Sequence, residues 1–207
     1  MLDIIMAGGW LMLPIIACSA ISLAIVIERF WTLNPRRVLP RKLVNQIWQL
    51  QQKGQLSSQW VRKMRASSPL GRVLASGLMN ANASRVVMKE SIEETGRHVA
   101  QGLERYLNTL GTIAAITPLL GLLGTVIGMI KVFSVITAVG VGDPGELAGG
   151  ISQALVTTAA GISVAIPTLI FHRYFRGRVN RLVVGMEEEA IRLVEVIHGE
   201  RAAGGAR

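Results

Sequence analysis

Among the polar side chains on two stretches of this chain that carry no charge are eight hydroxyls and the amide of Gln153. Thr112, Thr117 and Thr125 fall between Tyr106 and Ile130, and Ser152, Thr157, Thr158, Ser163 and Thr168, with Gln153, fall between Leu147 and Phe171. Such groups can bond their own helix backbone, bond a neighbouring helix, or line a polar cavity and exchange hydrogen bonds with water, an ion or a partner. They cannot take up or release a proton near neutral pH. For any one threonine the first use outweighs the last; the concentration of eight hydroxyls and an amide on two segments favours a cavity or a polar partner. Small residues accompany them at close-packing intervals: Gly121, Gly124 and Gly128 in the first segment, Gly150, Ala154 and Gly161 in the second. These positions let helix backbones approach closely. Pro118 and Pro167 each remove a backbone donor and free a carbonyl.

The elements that position these groups follow from charge. Three windows, Ile4 to Ile27, Tyr106 to Ile130 and Leu147 to Phe171, contain no charged residue, although the chain holds 22 Lys and Arg and a net charge of +9. Each is long enough as a helix to cross roughly 30 Å of hydrocarbon, where only a helix satisfies its own backbone groups. Burial in a large soluble core is the weaker alternative for a basic chain of 207 residues with mean hydropathy +0.43. The expected fold is an all-α membrane protein with three transmembrane helices, the second and third extended as long helices into the cytoplasm. The first span, rich in Ile, Leu and Met between Trp10 and Trp31, has the makeup of a lipid-facing anchor. Ile15, Ile16, Ala17 and Cys18 resemble a lipoprotein cleavage site, but no basic residue precedes them and the apolar run continues, so an uncleaved anchor is expected.

Basic residues orient the spans. None occurs in the first eight residues, fourteen lie from Arg29 to Arg105, Lys131 alone lies near the second turn, and seven follow His172. The positive-inside rule places the amino terminus and the second turn outside, and the long first loop and the carboxyl terminus inside, in the cytoplasm. The expected organisation is an anchor over residues 1–33, a basic helical loop over 34–105, a helical hairpin over 106–171 with a short periplasmic turn, and a helical tail over 172–207. From Arg29 to Lys89 twelve basic residues occur without an acid. With no aromatic stacking platform, this implies a face beside anionic lipid and no nucleic acid.

Within the polar pieces, Met88, Ile92, Val99, Leu103 and Tyr106 recur at helical spacing, with Lys89, Glu93 and Arg97 on another face and Ser84 or Asn82 as cap. Val179, Leu182, Val183, Met186, Ala190, Val194 and Ile197 make a second stripe, ended by Gly199, Gly204 and Gly205. Leu43, Ile47, Trp48 and Leu50 predict a short helix that stops near Gly54, and Trp60 to Met64 another. Asp143 and Pro144 sit in a turn from Gly140 to Gly145. Glu187, Glu188 and Glu189 read as a solvated face or as partners of the basic loop. His98, His172 and His198 are scattered, and no metal spacing, nucleophile elbow or phosphate loop occurs, so neither enzyme, cofactor nor metal is expected.

Two long motifs then carry a resemblance. Pro118-Leu119-Leu120-Gly121-Leu122-Leu123-Gly124-Thr125-Val126-Ile127-Gly128, and Gly150-Ile151-Ser152-Gln153-Ala154-Leu155-Val156-Thr157-Thr158-Ala159-Ala160-Gly161 followed by Val164-Ala165-Ile166-Pro167, are similar to the signature of the ExbB, TolQ and MotA proton-channel family, closest to its ExbB and TolQ branch. The resemblance implies a motor subunit of the bacterial inner membrane. It implies a homopentamer around a dimer of single-span ExbD/TolR-like partners, with proton flow driving work on a TonB-like periplasmic protein in biopolymer or protein transport. It carries the family's partner-facing threonines onto Thr125 and Thr158, and a family Glu onto Gln153, where this chain departs from the pattern. With Thr157 and Pro118, these are the expected ion-path or partner-contact residues. Lys131 is expected to snorkel to the outer interface. If protons pass, another chain must supply the carboxylate. The rival expectation is a non-conducting membrane scaffold whose polar helices serve only packing, which Gln153 favours.

Overall fold

A computed structural model of the chain describes residues 8–40, 42–52, 56–140 and 144–198. The predicted helix stops at Gly54, Gly199, Gly204 and Gly205, and the turn residue Asp143, lie outside the described residues, as does the start of the first apolar window at Ile4. Among the described residues the only regular elements are helices: α1 (Met12–Thr32), α2 (Pro35–Val38), α3 (Leu43–Gln52), α4 (Ser58–Ser67), α5 (Pro69–Met79), α6 (Arg85–Glu104), α7 (Leu107–Val139) and α8 (Pro144–Ile197). Three apolar stretches have the length and composition to cross a membrane: Met12–Thr32, Arg85–Thr137 of 53 residues, and Leu147–Ile197 of 51 residues. The chain is therefore an all-α, multi-pass membrane protein.

Local chemistry sets the helix ends. Gly9, at φ +70°, turns the chain so that α1 begins later than the charge-free window does, and α1 then runs beyond that window through Glu28 and Arg29. Ser57, Ser68 and Ser84 cap α4, α5 and α6 by accepting hydrogen bonds from the amides of Trp60, Gly71 and Val87. Ser84, not Asn82, is thus the cap of α6. The long helix expected before the second span is interrupted. Arg105 leaves helical geometry and Tyr106 takes a left-handed φ of 62°, which costs a non-glycine residue about 1–2 kcal/mol, before Leu110 resumes the ladder by bonding the Tyr106 carbonyl.

The chain divides into two compact units, one of Met1–Glu28 and Tyr106–Tyr174, the other of Arg29–Arg105 and Phe175–Arg207. The break at Tyr106 falls on their boundary. In the second unit the core is built from large apolar side chains, with Leu33, Ile47, Leu70, Leu74, Met88, Phe175 and Leu193 all fully buried. Phe30 meets Phe175 edge to face at 5.0 Å. Two end carbonyls receive arginines: Arg29, 2% exposed, donates to the Leu103 carbonyl at 3.1 Å, and Arg178 donates to the Leu33 carbonyl at 3.0 Å. Helix α5 lies outside the helices that periodicity predicts. Leu70, Gly71, Val73, Leu74, Ala75, Gly77 and Leu78 are buried, while Arg72 and Met79 lie exposed on its other side, so it is amphipathic although Pro69, Gly71 and Gly77 punctuate its sequence. Of the acidic triplet, Glu189 pairs with Arg192 of its own helix at 3.0 Å.

Candidate functional site

In the first unit, α7 and the opening part of α8 run antiparallel and meet along a seam of small residues. A Cβ placed on Gly161 would lie 2.7 Å from the Thr117 carbonyl oxygen and 3.1 Å from the Cα of Gly121. One placed on Gly121 would lie 3.0 Å from the Cα of Thr158, and one on Gly128 would lie 2.8 Å from the Cβ of Ala154 and 2.9 Å from the Gly150 carbonyl. Gly124 faces the Thr157 side chain, and Gly150 faces Val132. In most of these contacts backbone meets backbone, or a methyl group, with no room for a larger side chain. Such contact is the main attraction available to helices in lipid, where apolar side chains gain nothing by leaving the solvent.

The seam sorts the hydroxyls. Thr117 and Thr157 are buried at 0% and 1% exposure and turn their protons back onto their own helices, Thr117 to the Ile113 carbonyl and Thr157 to the carbonyls of Gln153 and Ala154 at 2.8 and 3.0 Å. Thr168 does the same toward Val164 at 2.7 Å. Thr158 differs: its hydroxyl donates across the seam to the Gly121 carbonyl at 2.9 Å. Thr125 donates to the Leu122 carbonyl at 2.6 Å, and both Thr125 and Thr158 are partly exposed. Each hydroxyl has one proton, and in this arrangement the backbone holds it. The oxygens of Thr125 and Thr158 therefore present lone pairs, fit to accept a hydrogen bond from water or from a protonated carboxyl group. To donate to an ionised carboxylate, each would first have to rotate away from its carbonyl.

Pro118 lies on α7 beside the buried Thr117, where its missing N–H leaves the Ala114 carbonyl without its usual helical donor. Gln153 lies toward the start of α8, apart from the Thr158 contact. Its side-chain oxygen accepts from the Lys131 ammonium at 3.2 Å, and its amide nitrogen occupies the space that a Cβ on Gly9 would fill. Lys131 is thus held by a polar partner on the facing helix. Sequence reasoning missed this pair, although one signal pointed to it: Lys131 and Gln153 are nearly equidistant from the middle of the Gly140 to Gly145 turn, as antiparallel neighbours must be. Among the described residues no cluster of three or more His, Cys, Asp or Glu side chains could hold a metal ion.

This glycine-packed hairpin is also where the chain matches known proteins. Residues 65–188 match the MotA/TolQ/ExbB proton channel family. The chain belongs to this family. It is 30% identical over 186 residues to the biopolymer transport protein ExbB-like 3 of Synechocystis, covering 89% of each chain. It is 31% identical to the ExbB-like 1 protein of the same organism, over 84% of this chain and 69% of that one. It is also 24% identical to the Tol-Pal system protein TolQ of Haemophilus influenzae, over 81% of this chain and 78% of the relative. Within the MotA/TolQ/ExbB family the chain thus stands on the ExbB and TolQ side, a multi-pass membrane protein related to biopolymer transport and Tol-Pal proteins.

Proposed function

We propose that the chain is a subunit of a motor driven by the proton-motive force in the bacterial inner membrane. In this reading several copies, five by analogy with the family, surround a single-span ExbD/TolR-like partner and couple proton flow to work on a periplasmic client such as a TonB-like protein. The amino terminus is periplasmic and the carboxyl terminus cytoplasmic, which the distribution of basic residues supports. Anionic lipid neighbours the basic loop. The chain conducts or gates and catalyses no reaction.

One observation carries the reading: the hairpin that matches the family holds partly exposed hydroxyls at Thr125 and Thr158 in a stretch without a titratable side chain. A carboxyl group supplied by the partner would find acceptors there while protonated. On losing its proton it would require both hydroxyls to turn, which breaks the Thr158 bond across the seam. Proton release and a local change in helix contact would then be one event.

Thr125→Val and Thr158→Val, each made in a complex shown by size to assemble, should reduce partner-dependent proton flux in proteoliposomes by up to about tenfold, the equivalent of losing one hydrogen bond of about 0.5–1.5 kcal/mol. Flux equal to that of the unaltered complex would overturn the ion-path role. A second reading, a non-conducting scaffold, has one observation behind it, the engagement of Gln153 by Lys131 where the family carries an acid. Gln153→Glu separates the two, since a scaffold without flux gains none, whereas a channel changes its conductance without changing its assembly.

A further inference from the structure

The acid-free basic run forms a concave site in the second unit that the ion path does not use. A cavity of about 730 Å³ opens between α2, α3 and α4, and four cations, Arg36, Arg37, Lys42 and Lys63, line it. All four are exposed, and no carboxylate is among the described residues that line it. Neighbours in the chain cannot supply one either, because no Asp or Glu occurs from Arg29 to Lys89. Four like charges around one concavity repel each other, and an anion placed among them would relieve that repulsion.

Two further features narrow the anion's chemistry. The cations are flanked by apolar surface, with Leu43 and Met64 buried and Trp60 half-buried at the cavity wall. A tryptophan beside cations is the composition of a site at the boundary of water and lipid. The chain also enters the site directly from a membrane helix. Arg36 lies four residues beyond Thr32, the last residue of α1, so the chain between them spans at most about 14 Å. A small soluble anion has no use for the apolar wall, whereas the glycerol and upper acyl region of a phospholipid does.

We propose that this cavity binds the phosphate head group of an anionic membrane phospholipid, with Arg36, Arg37, Lys42 and Lys63 around the phosphate and Trp60 against the glycerol region. The proposal deepens the lipid contact assigned above and rests on the topology in which this segment meets the cytoplasmic leaflet.

The full chain, purified in detergent, would be mixed with phosphatidylglycerol, with phosphatidylcholine or with inorganic phosphate, and bound species counted by native mass spectrometry. Phosphatidylglycerol should be retained over phosphatidylcholine. Arg36→Gln with Lys63→Gln should weaken that retention about thirtyfold, from roughly 1 kcal/mol for each basic residue beside anionic lipid. Arg62→Gln with Arg65→Gln removes the same charge from α4 outside the cavity and should leave retention unchanged. Lys42→Gln, on a turn residue, gives a third variant should the first pair fail to purify. Equal losses from the cavity pair and the outside pair would overturn the proposal, since general charge attraction would then suffice. Phosphate retained as well as the lipid would overturn the lipid assignment. The measurement needs no proton gradient, so its failure would leave the ion-path reading intact, and failure of that reading would leave lipid retention unchanged.

Discussion

The two compact units solve the same problem, holding helices together, with a different balance of materials. In the unit of Arg29–Arg105 and Phe175–Arg207, the most deeply buried groups are large and apolar, led by Phe175, Leu33, Ile47, Leu70 and Leu74. In the unit of Met1–Glu28 and Tyr106–Tyr174, a threonine, Thr117, is as buried as any leucine, and glycines mark the closest contacts. Meanwhile Leu119, Leu122, Val126, Ile130, Leu155 and Ile166 stand exposed on the outer faces of its helices. The difference follows the physics of the two solvents, water and lipid. Where water is the alternative, burying a large apolar group contributes most. Where lipid is the alternative, that gain vanishes, and close backbone contact with internally satisfied hydroxyls takes its place.

Three substitutions break or sharpen this contrast. The largest effect is expected in the unit with the large apolar core: Phe175→Ala removes a fully buried ring and its edge-to-face contact with Phe30, and should cost about 3–5 kcal/mol, read as loss of protection from amide hydrogen exchange confined to that unit. Gly161→Ala adds only one methyl group, yet it meets the Thr117 carbonyl at 2.7 Å, where backbone cannot yield cheaply. A loss of about 1–3 kcal/mol in thermal unfolding in detergent is expected. If this change were neutral, the seam would not be close-packed and the contrast would fail. The smallest effect has the opposite sign. Gly102, in α6, has nothing within 4 Å of an added Cβ, so Gly102→Ala should stabilise by about 0.4–1 kcal/mol in the same measurement. Two glycine-to-alanine changes with opposite signs would separate the glycines that pack from those that do not.

Much of this was legible in the chain. The stripe of Met88, Ile92, Val99 and Leu103 predicted α6 and its buried face, since amphipathic periodicity directly records which side meets a core. The seam glycines were legible for a similar reason, because small residues at intervals of three or four have few uses in a membrane helix other than contact. Helix α5 was less legible, because Pro69, Gly71 and Gly77 punctuate the otherwise helical spacing of Leu70, Val73, Leu74 and Leu78. Nor were the two uses of hydroxyl chemistry: Thr157 and Thr158 are adjacent and identical in type, yet one bonds its own helix and the other bonds across. A rotation of about 100° per residue separates them, and only the facing helix gives that angle meaning.

By itself, the sequence determined the solvent, the number of spans and the seam, because charge-free length and small-residue spacing are properties of one segment at a time. The tertiary structure alone decided which threonine spends its proton on the neighbouring helix, that Lys131 is held by Gln153, and that four cations from α2, the turn before α3, and α4 share one cavity. Each of these joins residues distant in the chain or facing one another across a turn. Their distances follow from packing, which no single segment contains.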